Sequence, residues 1–103
     1  KKTVLFGISF DSKKEAERYI YLRSLLDHSK IKGLCLQPKF LLLEGFQHEG
    51  KKERAINYIA DFMYQEKGEW IVEDVKGMRT EVYKIKRKLF LAKHGKEYKF
   101  REI

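Results

Sequence analysis

Cysteine, proline and tryptophan each occur once in this sequence, and acidic residues are outnumbered by basic ones, 15 against 23. The single cysteine, Cys35, cannot form an internal disulfide, and a reduced, cytoplasmic setting follows. It lies in the apolar run Leu34–Leu36 and reads as a small buried hydrophobe. His28 and His48 are isolated from further His or Cys, so the chain does not group enough ligands for a zinc site. No run reaches the roughly 18 apolar residues of a membrane-spanning helix. The start lacks a signal-peptide pattern. Its two lysines, Lys1 and Lys2, read as a solvated edge and suggest that the sequence begins inside a longer chain. There is no internal repeat and no low-complexity tract.

What is present fits one domain spanning residues 1–103, with 43% hydrophobic and 14% aromatic residues, enough for a modest core. The deficit of acids leaves a formal charge of +8, large for 12.4 kDa. Acidic polymers are the natural partners of such a surface, nucleic acid first.

The stretch Tyr58–Gly77 organises the rest. Lys67-Gly68 is a turn signal between the strand-like runs Tyr58–Tyr64 and Trp70–Val75. With those two residues as the loop, Glu66 pairs with Glu69, Met63 with Val72 and Asp61 with Asp74. Side chains alternate along a strand, so Lys76 points the same way as Asp74. Two carboxylates opposite each other are destabilising unless a proton or a cation sits between them. A divalent metal is one solution, and Mg²⁺ suits it because it takes few carboxylates and keeps waters for substrate oxygens. The other is that one aspartate turns to solvent and Lys76 is a surface charge.

Ser12-x-x-Glu15 has the pattern of a capping box, with Ser12 as N-cap of a helix running to Leu26 or Asp27. Glu15 lines up with Tyr19, Leu22 and Leu26, with Ala16 and Leu25 at the margins, whereas Glu17 points away. Glu15 therefore faces the core, as a helix cap or as a third acid of the site. Before it, Thr3–Phe10 is an extended segment or hairpin. After it, Leu34–Leu43 reads as one buried strand, with an edge or bulge at Gln37-Pro38 because proline lacks the ladder donor. Gln37 is a strand-end amide or a contact to substrate. Glu44–Arg54 reads as irregular, either a solvated connector or, through Lys51, Lys52 and Arg54, a segment that tracks a phosphate backbone. Thr80 caps a second helix ending at His94 before Gly95, with Val82, Ile85, Leu89 and Ala92 as its buried stripe. Lys86 and Lys93 flank that stripe, and Lys86 is the better candidate for a phosphate contact. The alternating run Glu97–Ile103 reads as a last strand.

Asp61 followed by Asp74-Val75-Lys76 resembles the bipartite signature of the PD-(D/E)XK nuclease superfamily. Phe10-Asp11-Ser12-x-x-Glu15, Gln37-Pro38, Tyr58-x-x-Asp61-Phe62 and Asp74-Val75-Lys76-Gly77 together resemble a family of small phage and prophage proteins classed as Holliday-junction-resolvase-like nucleases. The resemblance covers nearly the whole chain, with one departure: Ala60, not proline, precedes Asp61. It implies an α/β fold with a restriction-endonuclease-like core. Three antiparallel strands and a strand returning after a crossover helix would form a mixed central sheet, with helices on its faces. It also implies a phage- or prophage-encoded, Mg²⁺- or Mn²⁺-dependent endonuclease acting on branched DNA in a bacterial host cell, with a homodimer making paired cuts. Asp61, Asp74, Glu15 and the Val75 carbonyl would hold metal, and Lys76 would orient or deprotonate water or stabilise the pentavalent phosphorus. Duplex or single-stranded DNA as substrate, or a basic binding module without catalysis, are the alternatives.

Overall fold

The computed structural model describes residues 2–103, so the expectation for Lys1 lies outside the described residues. The chain begins with a hairpin, β1 (Thr3–Leu5) and β2 (Ile8–Phe10), and enters α1 (Lys13–Asp27). Then come β3 (Lys32–Leu36), β4 (Lys39–Leu43), β5 (Phe46–His48), β6 (Lys51–Glu53), β7 (Ile56–Ile59), β8 (Phe62–Glu66) and β9 (Glu69–Asp74). Helix α2 (Glu81–His94) leads to β10 (Lys99–Glu102). Among the described residues no helix is long and apolar enough to cross a membrane.

Three two-residue turns shape the strands. Phe6-Gly7, Glu49-Gly50 and Lys67-Gly68 each have positive φ at both positions (54° and 75°, 49° and 78°, 51° and 79°). That is the backbone of the tight turn whose twist matches flanking strands, and glycine takes the second place without steric cost. The expected Lys67-Gly68 hairpin is present in the expected register, with Met63 opposite Val72 and Glu66 opposite Glu69.

The four-stranded sheet runs β10-β9-β8-β3, with β10 parallel to β9 and the other neighbours antiparallel. It is the mixed sheet expected from the sequence. Helix α1 covers one face, burying Ala16, Tyr19 and Leu22 against Phe62, Tyr64 and Ile71. Helix α2 covers the other, where Tyr83 and Phe90 pack with Phe40, Tyr58 and Val72. The face under α1 also holds Glu73, wholly buried. Arg18 donates from Nε (2.8 Å) and Nη2 (2.6 Å) to its two oxygens, and the Tyr64 hydroxyl donates to it as well. A buried carboxylate is tolerable in this form, with a bidentate guanidinium and a third hydrogen bond from Tyr64.

Three expectations need correction. Leu34–Leu43 is not one strand: it breaks at Gln37-Pro38, where Gln37 adopts φ 51°. Pairing nevertheless persists through the break, since Gln37 N–H donates to the Asp61 carbonyl (2.9 Å) and Ala60 N–H to the Pro38 carbonyl (3.1 Å). The partner run Ala55–Tyr64 breaks opposite it, at Ala60-Asp61. Glu44–Arg54 is not irregular but the hairpin β5–β6, exposed throughout. Strands β3–β4–β5 and β6–β7–β8 thus form one long creased ribbon from Lys32 to Glu66. Finally, α2 buries a different stripe. Val82, Ile85 and Leu89 are 63%, 59% and 45% exposed, and Ala92 is exposed too, while Tyr83 and Phe90 face the sheet. Two apolar stripes competed for one sheet face. The aromatic one wins because each ring buries more area and Phe90 meets Phe40, Tyr58 and Phe100.

Candidate active site at the ribbon crease

The crease places Asp61. Its N–H donates to the Glu73 carbonyl (3.1 Å), its carbonyl accepts from Gln37, and its Oδ2 accepts from the Val75 N–H (2.6 Å). The residue is therefore clamped from β9 and from the β3–β4 break. Asp74, the last residue of β9, is 1% exposed. Its Oδ2 accepts from the Tyr58 hydroxyl, and its Oδ1 lies 3.0 Å from Lys76 Nζ. That contact is an ion pair, and among the described residues Oδ1 has no hydrogen-bond partner.

Burial pushes both aspartates up to about 6. For Asp61 the negative charge of Glu15 adds to burial, and the Val75 N–H opposes it. For Asp74 the charge of Asp61 adds, while the Tyr58 hydroxyl and Lys76 oppose it. Asp74 therefore feels the charge of Asp61 across the crease.

Glu15 comes from the first turn of α1. Ser12 Oγ accepts from its N–H (3.1 Å), so Ser12 caps the helix as expected. The Glu15 side chain is buried and shares with Asp61 a recess of about 120 Å³, closed by Ile8, Phe10, Gln37 and Phe62. Glu15, Asp61, Asp74 and Lys76 are thus drawn to one region, with Gln37 at its rim. On the far side of Lys76 a cleft of about 240 Å³ runs between β7 and α2, lined by Asn57, Tyr58, Thr80, Tyr83 and Lys86. Lys51, Lys52 and Arg54 lie elsewhere, exposed on or beside the β5–β6 hairpin. Lys93 is exposed on α2.

Three residues that pattern reading passed over shape the site. Tyr58 holds Asp74. Tyr83 presents its ring to Lys76, 4.6 Å from ammonium to centroid. Lys14 donates to the carbonyls of Lys76 (3.4 Å) and Ile103 (3.1 Å), tying α1 to the exit of β9. Tyr58 stands in the Tyr58-x-x-Asp61 spacing, but its bond to Asp74 is made across elements. Tyr83 was hidden by the wrong stripe on α2.

Among the described residues no three His, Cys, Asp or Glu side chains already converge in the geometry of a metal shell. One oxygen of each aspartate is engaged, by Val75 N–H and by the Tyr58 hydroxyl. The donor chemistry still fits a hard divalent cation. Asp74 and Glu15 are buried and Asp61 half-buried, burial raises both aspartates, and among the described residues Asp74 Oδ1 has only the Lys76 ammonium beside it.

The profile of a family described as "Protein of unknown function (DUF1064)" matches residues 1–103. No curated protein and no solved structure matches the chain.

Proposed function

The chain belongs to the DUF1064 family, and from the site that its fold builds we propose that it is a divalent-metal-dependent endodeoxyribonuclease of the PD-(D/E)XK type. The observation that carries this reading is that Asp61, at the crease just before β8, is bonded to both chain neighbours of Asp74, Glu73 and Val75, while Lys76 Nζ lies 3.0 Å from Asp74. Those are the residue types and the order of the superfamily signature. The element order supports a restriction-endonuclease-like core: a helix, three antiparallel strands, a second helix and a parallel returning strand.

Asp61, Asp74 and Glu15, with the Val75 carbonyl, would hold Mg²⁺ or Mn²⁺. When bound, the ion supplies a water of lowered pKa and neutralises charge growing on the scissile phosphate. The chain's own part is positioning. Val75 N–H and Tyr58 fix the two carboxylates, so little reorganisation is needed as the reaction proceeds. Lys76 places a positive charge at the edge of that carboxylate pair, where it orients a water or meets the phosphate. Lys86 and Thr80 line the adjoining cleft and suit the flanking backbone, with Gln37 on the opposite rim. The charge of +8, with Lys51, Lys52 and Arg54 on the protruding hairpin, supports DNA as the partner.

Branched DNA, cut symmetrically by a homodimer, is the substrate the resemblance favours. Labelled four-way junction, duplex and single strand, incubated with Mg²⁺ or Mn²⁺, separate the possibilities. Paired incisions near the crossover support the junction reading; cleavage of all three substrates equally supports a general nuclease. No cleavage by the wild type, or undiminished cleavage by Asp74→Ala, leaves only a basic binding module.

A further inference from the structure

Lys76 follows the last residue of β9 by two positions and is only partly shielded, with 28% of its side chain exposed. A four-carbon stem on such a segment has many rotamers, and holding it in one costs entropy. Two contacts hold it. One is Asp74 Oδ1 at 3.0 Å. The other is the face of Tyr83, 4.6 Å from the ammonium, within range for a cation–π attraction. The ring is itself fixed. Tyr83 is 7% exposed on the inward face of α2, packs on Tyr58, and donates its hydroxyl to Glu102 of β10. Glu102 is in turn paired with Arg79, which lies just before α2. Tyr58 then completes the circuit through its hydroxyl on Asp74.

We propose that Tyr83 is a positioning residue: its ring, kept in place chiefly by burial and packing on Tyr58, holds the Lys76 ammonium against Asp74. This rests on the nuclease reading for its consequence in the reaction, but the geometry itself can be tested without turnover. The ring, not the hydroxyl, is the part that touches Lys76, so the two can be separated by substitution. Tyr83→Phe keeps the face and loses only the bond to Glu102; Tyr83→Leu loses the face.

The spectroscopic arm is the resonance of the Lys76 ε-methylene, read by NMR on protein labelled in lysine. A ring face this close shifts those protons upfield. The displacement is expected in wild type and Tyr83→Phe, and its loss is expected in Tyr83→Leu. An ordinary lysine position in the wild type overturns the proposal whether or not the protein cleaves DNA. The kinetic arm compares kcat and KM on the cleaved substrate, with thermal melting as the check on folding. Tyr83→Leu is expected to lower kcat about tenfold with KM little changed, and Tyr83→Phe to stay within about twofold. Unchanged kcat in Tyr83→Leu, equal damage in Tyr83→Phe, or an effect confined to KM would each refute it. If the wild type does not cleave, the nuclease reading fails and the spectroscopic arm alone decides the position of Lys76.

Discussion

Asparagine at position 74 is expected to make the metal-free protein more stable. Asp74 is 1% exposed and titrates at about 6 in the fold, against 3.8 as its ordinary value. A carboxyl that holds its proton more tightly when folded stabilises the fold where it is protonated. That contribution is lost as pH rises from the unfolded value through about 6, and above it the cost of ionisation is complete. The difference corresponds to about 3 kcal/mol. Asparagine keeps an acceptor for the Tyr58 hydroxyl but leaves an amide to be buried and deprives Lys76 of its anion. A net gain of about 2 kcal/mol at about pH 7.5 is the expected remainder, or about 10 °C in Tm for a chain of this size. Urea unfolding of wild type and Asp74→Asn, with chelator present, measures it. At about pH 4.5 the wild-type acid is protonated in the fold and the gap should close to less than about 0.5 kcal/mol. Millimolar Mg²⁺ at about pH 7.5 should raise the wild type and leave the variant nearly unmoved. A variant that is less stable than wild type at neutral pH, or a gap that ignores pH, would show that Asp74 is not a strained site acid but an ordinary structural one.

Elsewhere the expectation reverses. Arg18→Ala strands Glu73, whose side chain has no solvent exposure, and should cost about 3–5 kcal/mol in urea unfolding. Ser12→Ala removes the acceptor for Glu15 N–H and should cost about 1 kcal/mol by the same assay. Asp61→Ala and chelation by EDTA should each abolish cleavage in a gel assay, with Mn²⁺ restoring only the chelated wild type. Replacing Lys51, Lys52 and Arg54 together by alanine should weaken duplex binding in fluorescence anisotropy and flatten its salt dependence by up to about 2–3 in log–log slope. Cleavage at saturating DNA should be unaffected, because those side chains lie away from the acids.

Local rules carried the reading where a short segment decides its own shape. Lys67-Gly68 fixed a turn and thereby the register from Glu66–Glu69 to Phe62–Glu73, one step short of Asp61 and Asp74; Ser12 and Thr80 start their helices as hydroxyl caps, accepting from Glu15 and Tyr83 N–H. Where the fold was misread, either the local pattern was too polar to show alternation or distant packing made the choice. Glu49-Gly50 is the same kind of turn as Lys67-Gly68, but polar residues on both sides gave no alternation to reveal the strands. On α2 the aliphatic stripe looked adequate, and only the aromatic surroundings of Phe90 decide against it. The break at Gln37 was announced by Pro38, yet its pairing with Asp61 needed the partner strand. The tyrosines that hold Asp74 and Lys76 meet them across elements, beyond any local pattern.

The creased ribbon also bears on the order in which the molecule assembles. Residues from Lys32 to Glu66 meet partners nested around one turn, and β9 joins through a second, so each closure extends one already made. Such zippering is fast compared with docking a parallel strand across an intervening helix. Asp61 and Asp74 are therefore expected to be brought together early, while water still screens their repulsion. β10, whose Glu102 accepts from Tyr83 and which is followed by Ile103 bonded to Asp74 and Lys76, is expected to dock later and shut the solvent out.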